Sequence, residues 1–326
     1  MTAYRRTAHD ILWVLDSNVT ADRGTLARAV DILDPPSSAP HRSRRIGVVH
    51  HVPFAWVTKP SFGSSVEEAF LNTNHAKMYI AINMVAVDSC VVGKSCLYRK
   101  SDLERVDGSL KPIANAENGG AQPGDRGLAA FGRFLAEDNM IAGALWHELG
   151  LRHDLSCDVA KNAVGDMTLW DYVARRIRWV RVRKRMVLAA TLAEPFTESV
   201  LVGALTSLSL RYLVGVPPWI FLPFHFIAWL LVDMDVFASL AGHPVPTNKR
   251  WQFIGAWVTR EFFALPIWVM AIVGSEVEWR GRRYKVMQNG EVERVGAAGT
   301  GGGFFGWFRR SGRKNGGYYE PLEMGE

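Results

Sequence analysis

Four short elements of this chain carry side chains fit for chemistry, and they occur in a fixed order: Asp16-Ser17-Asn18, His75, Glu137-Asp138, and Arg175-Arg176-Ile177-Arg178-Trp179. Each has a plain reading when taken alone. An Asp after a strand serves a turn or a cap as readily as a site. A lone His is often structural, and an acidic pair at a helix start is favoured by the helix dipole. Arg-x-x-Arg-Trp also anchors an interfacial helix. As a set they describe breakage of a bond to a diphosphate. The leaving group gains charge, which a divalent metal and cationic side chains stabilise. A carboxylate such as Asp16 suits magnesium or manganese. A second carboxylate, in the Glu137-Asp138 pair, can take the proton of an acceptor hydroxyl as general base. Arg175 and Arg178 can bind phosphate through paired N–H donors.

The elements that must position these groups follow from pattern. Ile11–Leu15 is a continuous apolar run, read as a buried strand that ends at Asp16. Thr20 is placed to cap a helix with Leu26, Val30 and Leu33 on one face. Ile46–Val57 reads as a strand, residues 67–84 as a helix leading past His75, and residues 85–98 as strand around Cys90-Val91-Val92. Glu137-Asp138 opens a helix that Gly150 closes. Residues 155–164 read as a strand and 169–185 as a helix. Strand–helix alternation argues an α/β domain. Residues 35–45 and 103–126 are polar and rich in Pro, Gly or Ser, as surface loops are.

The remainder is apolar. Residues 212–232 contain no Asp, Glu, Lys or Arg, about the length that crosses hydrocarbon, with Pro217-Pro218 as an alternative late start near Trp219. Residues 187–210 are apolar around Glu194 and Glu198, and residues 253–275 around Arg260 and Glu261. Charges at such depth point to interfacial, re-entrant or cavity-lining helices. In Arg175–Arg185, seven of eleven residues are cationic, which places this stretch on the cytosolic side of a lipid bilayer. The basic run at 279–285 belongs on the same side, so an even number of crossings is expected. The net charge of +6 is concentrated in such runs, and no basic groove with interleaved aromatics suggests nucleic acid. Cys90, Cys96 and Cys157 fit no zinc ribbon and read as reduced thiols. Residues 1–10 are polar and Ile11–Leu15 is too short for a signal core.

The segments LDSNV, VEEAFLNTNHAKMYIAIN, CVVGKSCLYRK, LAEDNMIAGAL, RRIRW and VEWRGRRYKV resemble, in that order, the ceramide glucosyltransferase family, of the fungal type. The resemblance runs to about residue 295, interrupted by the two loops. It implies transfer of glucose from UDP-glucose to the primary hydroxyl of ceramide, with inversion, in a multi-pass Golgi membrane protein whose catalytic domain faces the cytosol. By position, it makes Asp16 the metal-binding aspartate, Asp138 the catalytic base beside Glu137, and Arg175, Arg178 and Trp179 a diphosphate and acceptor motif. His75 matches a histidine of donor or inhibitor binding. Cys90 falls where the family has a reactive thiol, with a buried structural role as the equal alternative. Only fifteen residues precede Asp16, where family members carry a membrane helix and a uridine-binding half.

The expected organisation is therefore a partial glycosyltransferase A-type, Rossmann-like domain over 1–186, lacking the uridine-binding half, with an unpaired sheet edge and poor UDP-glucose binding on its own. Membrane helices follow over 187–275, a cytosolic β-hairpin over 276–295, and a flexible tail over 296–326. Two other readings stand beside it: a membrane β-glycosyltransferase of the polysaccharide-synthase type, and an inactive membrane-bound fragment. All four side chains at 16, 138, 175 and 178 are expected to converge on one pyrophosphate.

Overall fold

In a computed structural model, residues 2–36, 44–108, 126–279 and 282–295 are described. The flexible tail expected over 296–326 lies outside them, as does most of the two loops.

After a short helix α1 (Thr2–Arg6), the chain runs β1 (Ile11–Leu15), β2 (Val19–Thr20), α2 (Thr25–Leu33) and β3 (Ile46–Val57). A long helix over 62–85 follows, made of α3 (Phe62–Ala69), a π-helical turn (Phe70–His75) and α4 (Ala76–Val85). Next come β4 (Ser95–Arg99), α5 (Lys100–Leu103), α6 (Glu137–His147), β5 (Arg152–Val164) and α7 (Leu169–Met186). The expected cap at Thr20 is instead part of β2, and α2 starts after Gly24, which holds φ +84°.

The five strands form one mixed sheet in the order β1-β4-β3-β5-β2. β3 and β5 are parallel; the other pairs are antiparallel. β3 lies between two neighbours and is buried along most of its length, which is why its sequence is a near-continuous apolar run. β1 is an edge strand, only partly buried. The strand expected around Cys90-Val91-Val92 is a loop, and β4 begins later, at Ser95. The backbone of that loop is taken up elsewhere. The Val92 N–H donates to the Tyr79 hydroxyl (3.1 Å), the Gly93 N–H donates to Asp138, and the Val91 carbonyl accepts from Asn139 Nδ2 (3.4 Å). Backbone groups so satisfied are not available to a ladder.

The long helix over 62–85 is the hub of the molecule. Its π turn, a feature often seen at functional sites, aims Asn72 at β3. There Asn72 Oδ1 accepts from the Ala55 N–H (2.6 Å) and its Nδ2 donates to the Ala55 carbonyl (3.0 Å).

Beyond α7, α8 (Leu188–Ala193), a 3-10 turn (Glu194–Thr197) and α9 (Ser199–Val214) make a pair bent by 63°. Gly215, at φ +72°, ends α9, and Pro218 opens α10 (Pro218–Ala241), so the span takes the late start that the proline pair allows. The 3-10 turn Thr247–Lys249 leads into α11 (Arg250–Val273). Among the described residues, two helices are long and apolar enough to cross a membrane, or three if the bent pair counts as one span.

The apolar core is continuous across this boundary. Phe70, Tyr172 and Ile177 share a cluster with Phe237, Trp257 and Ile267. Polar contacts reinforce it: Lys77 Nζ of α4 lies 2.6 Å from Asp233 of α10, whose other oxygen accepts from Trp257 Nε1 of α11 (2.7 Å). The charges that α11 carries at depth are likewise matched, since Arg260 pairs with Glu198 at 3.0 Å and with Glu261.

The expected hairpin is a three-stranded antiparallel sheet, β6 (Glu276–Trp279), β7 (Arg282–Val286) and β8 (Val292–Arg294). The basic run at 279–285 is divided between β6 and β7, and Trp279 pairs with Arg282 across them. The turn at Asn289-Gly290 falls where its sequence indicates, with Gly290 at φ +88°.

Candidate active site

Three chain segments meet at one end of the sheet: the end of β1, the loop before β4, and the first turn of α6. Asp16 follows β1, and its backbone N–H donates to the Lys94 carbonyl (3.1 Å). The Lys94 ammonium pairs with Asp16 Oδ2, while Asp16 Oδ1 accepts from the Ser17 N–H (2.9 Å). The next residue back, Gly93, gives its N–H to Asp138 Oδ2. The carboxylates at 16 and 138 are thus held by two adjacent residues of one loop. Gly93 permits this because a Cβ there would meet Asp138 Oδ2 at 2.7 Å.

The electrostatics separate the three carboxylates. Burial pushes the Asp138 carboxyl above its ordinary range, against the pull of the Asn139 and Gly93 N–H groups and the Lys94 ammonium. Glu137, exposed at the rim, is raised by partial desolvation and by Asp138 beside it. Asp16 keeps 39% of its side-chain surface in solvent. A raised carboxyl next to an exposed, cation-paired one is the arrangement that divides acid–base work from cation binding.

A second group lies on α7 and the long helix. The ring of His75 stacks on Tyr79 (centroids 5.7 Å apart) and stands edge-on to Trp179 at 6.1 Å. Burial, with Arg176, Arg183 and Arg175 nearby, pushes His75 down to about 3, so it is neutral at physiological pH. Tyr79 links the two groups, since its hydroxyl accepts from Val92 and lies 2.6 Å from His50 Nδ1. Cys90 sits between them. Burial pushes its thiol up to about 11, which favours the structural role over the reactive one.

The guanidinium groups do not join the carboxylates as expected. Arg175 turns to Glu67 of α3, with its Nε 3.0 Å from the carboxylate and both side chains buried. Arg178 donates to the Glu278 carbonyl of β6 (3.4 Å) on the exposed side. Residues that pattern alone did not single out are Lys94, Gly93, Tyr79 and Arg176. The Gly-Lys pair just before a strand was a signal for the first two. Arg176 was hidden inside a run of arginines.

The model of the family described as glycosyl transferase family 21 matches residues 1–116 and 124–292. The chain belongs to glycosyl transferase family 21. Similar relatives of this family 21 chain include three fungal proteins, each named ceramide glucosyltransferase. That of Komagataella phaffii is 36% identical, over 87% of this chain and 66% of its own length. That of Pyricularia oryzae is 33% identical, over 91% of this chain and 68% of its own length. That of Candida albicans is 29% identical, over 88% of this chain and 70% of its own length. The family 21 chain therefore spans about two thirds of the length of these relatives.

Among the described residues, no group of three or more His, Cys, Asp or Glu side chains is placed to hold a metal ion. Asp16 offers one carboxylate, and the ammonium against it marks a place where this family 21 chain accepts positive charge. One carboxylate suffices for magnesium when substrate phosphates and waters supply the other ligands.

Proposed function

We propose that the chain transfers glucose from UDP-glucose to the primary hydroxyl of ceramide, with inversion, giving β-glucosylceramide. The observation that carries this reading is the joint tethering of Asp16 and Asp138 by Lys94 and Gly93, on a domain whose core continues into membrane helices. The names of the fungal relatives support the acceptor and the sugar.

The acceptor oxygen attacks the anomeric carbon as its proton passes to Asp138, whose raised affinity for protons suits a base. The bond from that carbon to the diphosphate breaks on the opposite face, and UDP leaves with the electron pair. Asp16 would hold magnesium or manganese, which when bound would neutralise charge on the leaving diphosphate. Lys94 stands where it adds to that neutralisation. For Arg178 to meet the diphosphate, its side chain swings away from the Glu278 carbonyl of β6 to which it donates here. Trp179 and the neutral His75 form the wall against which the substrates stack, with Glu137 at the rim. Arg175 acts as a positioning residue through Glu67.

In this reading the mixed sheet belongs to an A-type, Rossmann-like catalytic domain. It faces the cytosol from a Golgi membrane. Two crossings by α10 and α11 and a bent, non-crossing α8–α9 pair return the basic β6–β7 strands to the side of the basic α7, as the charge rule requires.

The test supplies labelled UDP-glucose and ceramide vesicles to this chain and to one extended to the length of its relatives. Labelled glucosylceramide with a β linkage is expected. A labelled polymer, or no labelled lipid from either chain, retires the reading.

A further inference from the structure

Between α7, the α8–α9 bend and α11 lies a pocket of about 30 Å³. Its apolar lining includes Phe70, Val180, Leu201, Leu265 and Trp268. Two buried guanidinium groups also line it, Arg176 (4% exposed) and Arg260 (1% exposed). Arg176 stacks on Phe70, 3.5 Å from the ring centroid, and lies 5.0 Å from the Trp179 centroid. Its Nη1 is buried and has no hydrogen-bond partner among the described residues. Arg260 binds Glu198 and Glu261, yet its Nε and Nη1 are also buried without a partner.

Buried N–H groups rarely go unpaired, so these donors call for an acceptor oxygen. The space admits one oxygen-sized group. The charge balance says of what kind. The carboxylates of Glu194, Glu198 and Glu261 already match the guanidinium groups of Arg176, Arg183 and Arg260, with Arg183 paired to Glu194. A phosphate would add unmatched negative charge to a low-dielectric pocket. An uncharged carbonyl oxygen would not, and neighbouring carboxylates could accept from an amide N–H or a hydroxyl. Outside the pocket, α9 and α11 expose Leu205, Leu208, Phe262 and Val269, which suit acyl chains.

We propose that this pocket takes up the amide carbonyl oxygen of an uncharged membrane lipid, which accepts from the unpartnered N–H groups of Arg176 and Arg260 while the rest of the headgroup lies at the pocket mouth. The inference rests on the function proposed above, in that it assigns the acceptor lipid to this place. It makes Arg176 and Arg260 acceptor-binding residues and makes the pocket select amide lipids over phospholipids.

The experiment uses the full chain in phosphatidylcholine nanodiscs and a short-chain ceramide with a diazirine in its acyl chain. After irradiation, labelled peptides are mapped by mass spectrometry. Saturable labelling of α7, α9 and α11 is expected, competed by unlabelled ceramide and not by phosphatidic acid. Ala264→Trp, which fills the pocket without touching its charges, should cut labelling about tenfold, and Arg176→Gln should do the same. If either variant fails to fold, competition on the unaltered chain still decides. Labelling confined to other segments overturns the proposal. So does equal competition by phosphatidic acid, or undiminished labelling in folded Ala264→Trp, which would leave the donors to water. Glucosylation is followed in parallel. Pocket labelling with no glucosylation by this chain or by the extended one upholds the site and retires the proposed reaction; glucosylation without pocket labelling retires the site alone.

Discussion

The guanidinium of Arg175 lies 3.0 Å from the carboxylate of Glu67, and the pair is buried between α7 and α3. Both helices are amphipathic, and this contact sets their rotation against each other. Removing Arg175 leaves the buried Glu67 carboxylate uncompensated, at a cost of about 3–5 kcal/mol. Arg175→Met alone should therefore lower the unfolding temperature sharply in detergent. The double Met variant should regain most of the loss. A single variant no worse than the double would show that the pair does not hold the helices.

Gly93 is the second point of leverage. An added Cβ would stand 2.7 Å from Asp138 Oδ2 and 2.8 Å from Asp138 Cβ. Gly93→Ala should displace the start of α6 and reduce turnover at least tenfold, while the overpacking costs only about 1–3 kcal/mol of stability. Asp138→Asn keeps an oxygen for the Gly93 N–H and loses the base. Turnover should fall about 10²–10⁴-fold with UDP-glucose affinity unchanged. Normal turnover in Asp138→Asn would assign the base elsewhere.

Turnover and stability should both rise with pH, for separate reasons. Asp138 must be ionised to accept a proton, and burial raises its affinity for protons. The turnover profile should rise with pH above the ordinary carboxylate range. Because Glu137 is raised beside it, the limb reports the pair.

Stability follows the two buried histidines in the same direction. His50 and His75 are each pushed down to about 3 by burial, so the folded chain keeps them neutral. The unfolded chain protonates them near pH 6.5. Their contribution is present above that pH and is lost as the pH falls toward 3. Each costs about 1.4 kcal/mol per pH unit over that window. Thermal unfolding from pH 7 to 5 should show the decline, and His50→Gln should reduce its slope. A flat profile would mean the rings find acceptors when protonated.

Lys94 competes with any cation for Asp16. Lys94→Met should lower the magnesium or manganese concentration that gives half-maximal turnover, while reducing maximal turnover if the ammonium also meets the diphosphate. Asp16→Asn should raise the metal requirement at least tenfold. An unchanged metal dependence in both variants would remove Asp16 from the cation site.

Local pattern determined a good deal of this protein. Ile46–Val57 reads as a strand and forms one, the Pro217-Pro218 pair offers the late start that α10 takes, and Glu137-Asp138 begins α6 as its sequence indicates. Residues 85–98 misled, because Cys90-Val91-Val92 has strand composition while the backbone of Val91, Val92 and Gly93 bonds to Asn139, Tyr79 and Asp138. Only the fold could say that.

The arginines of α7 show the same limit. Helical spacing orders Arg175, Arg176 and Arg178 around one axis, and nothing local distinguishes them. Tertiary packing sends the first to Glu67, the second onto Phe70, and the third to Glu278. A residue's type and spacing fix what it can do. The partner that decides what it does comes from elements distant in the chain, brought near by the burial of their shared apolar faces.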